Sequence, residues 1–194
     1  MNEEKFISQE EYVSQMERGA LLNPRIDSTF KALFTQPTPE SKAALHSFLE
    51  AATERTITKF HLTANDVPID FVDQRGVSYD IRCEFDNGLS ADIEMQAFNR
   101  QYDYGKRAEY QVARLEATYL KKSDNWEKAP IVYQISVLDF KYKSKSAKND
   151  SDSKESKNPV SRYAMRTKDG RELSNTLNII FIELPKIKNF CLFI

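Results

Sequence analysis

The chain has 194 residues, 40% of them hydrophobic, which is enough for one sizeable core and one domain. A formal charge of −1 excludes a molecule that attracts phosphate backbones as a whole, so any nucleic-acid contact has to come from a local patch. The longest apolar runs, such as Leu177–Leu184, fall well short of the ~20 residues that span a bilayer, and the acidic start MNEEKFISQEEY lacks the order of a secretion signal. These features predict a cytoplasmic protein with no membrane partner.

Residues 1–22 read as an N-terminal extension to a domain over 23–194. A first helix is predicted over Pro24–Phe34, with Asp27 or Ser28 as its cap and Phe30, Leu33 and Phe34 as its apolar stripe. A second follows over Glu40–Ala52, with Ala44, Leu45, Phe48 and Leu49 at helical spacing. Strands are predicted at Pro68–Val72, Val77–Phe85 and Leu89–Phe98, then a long helix from about Arg100 to Lys122 with Ala108, Val112, Leu115 and Tyr119 on one face. Ile131–Phe140 alternates little, as in a strand covered on both faces. Arg162–Arg166 and Leu177–Leu184 read as further strands around a TKDGRE turn. The order α, β, β, β, α, β predicts an α/β sandwich with a mixed sheet and a crossover helix.

Between them lies a Lys/Ser-rich segment, 143–159, with the composition of a flexible loop. From Lys141 to Arg171 there are ten Lys/Arg against four Asp/Glu, a local balance of +6. The segment reads as a solvated loop or as a DNA-binding patch, in which Lys143, Lys145 and Lys148 are the contacting residues. Two cysteines, Cys83 and Cys191, have no partner at zinc-ligand spacing and are expected to be reduced and structural.

The hairpin YDIRCEFDNGLSADIEMQ, Tyr79–Gln96, carries the chemistry. A two-residue Asn87-Gly88 turn would mix polar and apolar faces. A three-residue loop, Asp86-Asn87-Gly88 with glycine in the left-handed region, instead pairs Ile81 with Ile93, Cys83 with Ala91 and Phe85 with Leu89. The other face then pairs Arg82 with Asp92 as an ordinary ion pair, Ser78 with Gln96, and Asp80 with Glu94. Two carboxylates about 5 Å apart across a sheet repel by about 3 kcal/mol at an effective dielectric near 20, unless a proton or cation lies between them. A hard divalent ion such as Mg²⁺ suits that position. A solvent-facing sheet with screened charges is the plain alternative.

DSTFKALF, the hairpin, GKRAEYQVARLEATYL and YQISVLDF together resemble the PD-(D/E)XK nuclease family transposases, also called recombination-promoting nucleases of the Rpn type, over roughly Asn23–Leu184. The resemblance implies a restriction-endonuclease-like sandwich with an αβββαβ core and a Mg²⁺-dependent DNA endonuclease, Mn²⁺ serving as substitute, acting in transposition or recombination. It assigns metal ligation to Asp80 and Glu94, places Gln96 where the name-giving motif has lysine, and brings Asp27 toward the site from the first helix. Arg107 and Tyr110 become phosphate or fold contacts, and Lys106 is a candidate to replace the lysine. Two departures stand out. Tyr79 precedes Asp80 where the motif has proline, and the chain stops at NFCLFI short of the family's helical tail, which predicts truncation at the C-terminus. The alternative functions are a catalytically impaired DNA-binding or regulatory remnant and a plain interaction module. Cleavage of both DNA strands would favour a homodimer.

Overall fold

The computed structural model describes residues 23–67, 75–86, 88–99, 102–143 and 157–187. The strand expected at Pro68–Val72, the N-terminal extension, Lys145, Lys148 and Cys191 lie outside the described residues.

The chain opens with helices α1 (Asp27–Thr35) and α2 (Pro39–Thr53). Neither Asp27 nor Ser28 caps α1: the N-cap is Ile26, with no side-chain cap bond, and Asp27 is the first helical residue. In α2, Thr38 accepts the amide of Ser41 and Pro39 occupies the first turn, where its missing N–H costs nothing. Strands β1 (Phe60–Leu62), β2 (Asp66–Val67), β3 (Val77–Ser78), β4 (Ile81–Phe85) and β5 (Leu89–Gln96) follow, then helix α3 (Tyr104–Ala117) and strands β6 (Val132–Leu138), β7 (Val160–Ala164) and β8 (Leu177–Glu183).

Six strands form one mixed sheet in the order β1-β4-β5-β6-β8-β7, and β2 and β3 form a separate ribbon. The pairs β5/β6 and β6/β8 are parallel and the others antiparallel. Every residue of β6 is buried, Gln134 and Ser136 included, as in a central strand covered on both faces. The face of Ile81, Cys83, Ala91, Ile93, Ile135 and Ile180 packs under α1 and α2, through Phe30, Phe34, Leu45 and Leu49. The opposite face meets α3 in two smaller clusters, one around Val112, Leu115 and Val132 and one around Tyr104, Ala108, Leu138 and Phe181. No helix among the described residues is long and apolar enough to cross a membrane.

The β4–β5 register is the expected one: Ile81 faces Ile93, Arg82 faces Asp92, Cys83 faces Ala91 and Phe85 faces Leu89. Gly88 holds φ +88, the left-handed conformation the three-residue loop requires. The expected single strand Val77–Phe85 is instead broken at Tyr79-Asp80. The amide of Tyr79 donates to the carbonyl of Asn65 (2.9 Å), and its hydroxyl reaches the carbonyl of Gln111 (2.9 Å). Val77–Ser78 therefore pairs with β2 rather than extending β4. Helix α3 is shorter than Arg100–Lys122 because Asp103 caps it, accepting the amide of Gly105 (3.0 Å).

Candidate active site

Asp80 sits one residue before the β4 ladder begins, so its side chain leaves the pleated face. One carboxylate oxygen accepts the amide of Met95 in β5 (3.1 Å), and the other meets the ammonium of Lys31 in α1 (3.1 Å). Lys31 also pairs with Asp27 one turn earlier, again at 3.1 Å. The expected approach of Asp27 to the site is thus made through Lys31. Burial raises Asp80 above the usual carboxyl range, against the pull of the Met95 amide and Lys31. Burial works against the Lys31 ammonium, but the hydrogen bonds to Asp27 and Asp80 outweigh it and hold its pKa up.

Glu94 faces the other way. It is 1% exposed and lies under α3, where one oxygen accepts Nη2 of Arg107 (2.7 Å) and the other the amide of Gln111 (2.9 Å). Its carboxyl is pushed up to about 7 by burial, with Arg107 pulling it down and Asp80 adding to the rise. Gln96, two residues on, accepts Nη1 of Arg107 (3.4 Å), and the same nitrogen donates to the Tyr102 hydroxyl (3.0 Å).

The arrangement corrects the sequence reading in two respects. Asp80 and Glu94 are not a directly facing ladder pair; the ladder ends at Ile81–Ile93, and each acid is met by a different helix. Asp80 nevertheless reaches the end of β5, where it binds the Met95 amide between Glu94 and Gln96, and its charge adds to the rise of the Glu94 carboxyl. The expected Arg82–Asp92 ion pair is also absent: the guanidinium turns to Tyr119, and both oxygens of Asp92 are buried without a hydrogen-bond partner. Burial, then Glu94 and Asp80, raise the Asp92 carboxyl well above its usual range.

Arg107 enters the site directly. Tyr110 instead donates to the backbone carbonyl of Arg75 (3.0 Å), a contact of the fold. Lys106 is exposed and pairs with neither acid. Lys143 is exposed just beyond β6, at the same end of the sheet as Gln96. The basic patch divides: Arg162 pairs with Glu54 (3.1 Å), and Arg166, Lys168 and Arg171 lie in the hairpin at the far end of β8. Lys31 and Gln111 were not singled out in the sequence, although each stands four residues after a residue that was, Asp27 and Arg107, on the same helix face.

Among the described residues no three acidic, histidine or cysteine side chains group to hold a metal unaided. Mg²⁺ commonly takes one or two carboxylates and completes its shell with water and substrate phosphate. Burial favours the protonated forms of Asp92 and Glu94, and a divalent cation is a partner that would hold such carboxyls ionised; hard oxygen donors of this kind fit one.

Residues 24–190 match the family model described as PD-(D/E)XK nuclease family transposase, and the chain belongs to that family. The six-stranded mixed sheet flanked by helices is consistent with the restriction-endonuclease-like sandwich. Neither a curated protein nor a solved structure matches the chain.

Proposed function

We propose that this member of the PD-(D/E)XK nuclease family transposases is a metal-dependent DNA endonuclease of transposition or recombination, with Asp80 and Glu94 as its metal ligands. The observation that carries the reading is that Asp80 bonds the backbone of β5 one residue from Glu94 and raises that carboxyl through its charge, one acid supported from α1 and the other from α3. Mg²⁺, or Mn²⁺ in its place, would supply Lewis-acid polarisation of the phosphodiester and of the attacking water. Hydrolysis consumes one water: its oxygen becomes a phosphate oxygen, one proton leaves with the departing alcohol and the other remains with the phosphate.

The side chains divide the remaining work. Arg107 favours the ionised form of Glu94 and fixes the Gln96 carbonyl oxygen. The Gln96 amide does not titrate, so Gln96 positions water or phosphate rather than accepting the proton. Asp27 acts at one remove, by anchoring Lys31. A site that cuts one strand would need two copies of the chain to cut both.

The cations already seated on both acids also suit a second reading, a DNA-holding remnant without cleavage. Plasmid nicking with Mg²⁺ or Mn²⁺ decides between them. The nuclease reading expects nicking that disappears in Asp80→Ala and Glu94→Ala, together with loss of Mn²⁺ binding by calorimetry. Equal nicking in the variants would remove the site, and DNA retention with no divalent-dependent nicking would favour the remnant.

A further inference from the structure

An attacked phosphodiester gains negative charge, and a fixed cation aimed at it is worth about 10²–10³ in rate. Two cations border this site. Arg107 gives Nη2 to the buried Glu94 and Nη1 to Gln96 and Tyr102, so its fork is committed to holding the site together. Lys31 differs. An ammonium has three donors; Asp27 and Asp80 take two, each at 3.1 Å, and the side chain is 37% exposed. Asp27 also holds it from within the same helix, so Lys31 keeps one anchor when Asp80 turns to another partner.

We propose that Lys31 is the phosphate-contacting cation of this site, giving its remaining N–H to a non-bridging oxygen of the bound DNA backbone, with Asp27 as its positioning residue. Only the cleavage arm of the test rests on the nuclease reading above; the binding arm does not.

The test compares wild type with Lys31→Met and Lys31→Arg on a labelled DNA duplex without metal, on Mn²⁺ alone, and in single-turnover nicking. Lys31→Met is expected to reduce the slope of log affinity against log salt by about one, as removal of a single phosphate contact requires, and Lys31→Arg to restore it. Mn²⁺ affinity should hold or rise in Lys31→Met, because a cation competing for Asp80 has gone, while nicking falls about 100-fold. A side chain that only balanced charge would not lower nicking while Mn²⁺ affinity is kept. An unchanged slope with undiminished nicking overturns the proposal and leaves the nuclease reading standing. A reduced slope in a protein whose wild type does not nick upholds the phosphate contact and removes the nuclease reading. Lys31→Gln repeats the comparison if the methionine variant unfolds.

Discussion

Arg82 and Asp92 stand directly opposite each other in the β4–β5 ladder and form no ion pair. Arg82 gives Nη2 to the Tyr119 hydroxyl (3.1 Å) and lies 5.6 Å from the centre of its ring, so the arginine turns its charge to an aromatic side chain just past the end of α3. Asp92 is left with 0% exposure, two unpartnered oxygens and a carboxyl whose neutral form burial favours. Across the β5/β6 ladder its partner is Gln134, whose amide nitrogen is likewise buried and unpartnered.

Asp92→Asn should therefore stabilise the metal-free protein. It keeps the shape and an acceptor oxygen on the side of Gln134, and it removes a group that costs energy to ionise. A gain of about 1–3 kcal/mol is expected at pH 8, having grown as pH rises from the ordinary carboxyl range toward the raised folded-state value. Urea unfolding of the two proteins measures it, and a destabilised Asn variant would show that the Asp92 carboxyl has a partner of its own.

Glu94 gives a pH dependence of defined sign. Its carboxyl is raised from 4.5 to about 7 in the folded state. Between those values the folded chain holds a proton that the unfolded chain has released, so this group's contribution is full below about pH 4.5 and is lost as pH rises through about 7. Glu94→Gln removes the titration. Wild type should lose up to about 3 kcal/mol relative to the variant between pH 4.5 and 8, and the difference should then level off. Parallel unfolding curves across that range would show that Glu94 titrates normally.

The hairpin register was legible because period-2 patterning and a glycine at φ +88 admit one pairing that keeps both faces pure. The same reasoning failed at Asp80. Alternation carries no sign of where a ladder stops, and it stops because Tyr79 gives its amide to Asn65, a distant partner. It failed likewise for Arg82, since being opposite in a ladder fixes backbones, while a long side chain goes wherever aromatic and hydroxyl groups receive it. Lys31 stayed hidden because its ion pair with Asp80 depends on how α1 packs against β4 and β5, a tertiary relationship that helical spacing cannot specify. The edge strand β1 and the β2–β3 ribbon are three residues or fewer per strand, too short for a periodicity to register.

The Lys/Ser-rich segment acquires a location. It leaves the sheet after β6, whose last residue, Leu138, pairs with Glu183, and rejoins it at Val160, which pairs with Ile182. Both ends thus lie at the end of the sheet that carries Glu94 and Gln96. Its start is pinned there: Tyr142 gives its amide to Glu183 (2.8 Å) and its hydroxyl to Asp103 (3.0 Å), and a Cβ at Gly105 would collide with that hydroxyl. Replacing Lys143, Lys145 and Lys148 with Gln should weaken duplex binding and lower the salt slope by about 0.9 for each phosphate no longer neutralised. Lys121 and Lys122, which follow the opposite end of α3, serve as controls, and their replacement should leave the slope unchanged. Fluorescence anisotropy across a salt series reads both. Equal slopes for the loop variant and wild type would make the segment a connector, and an equal drop in the control would assign the effect to net charge rather than to position.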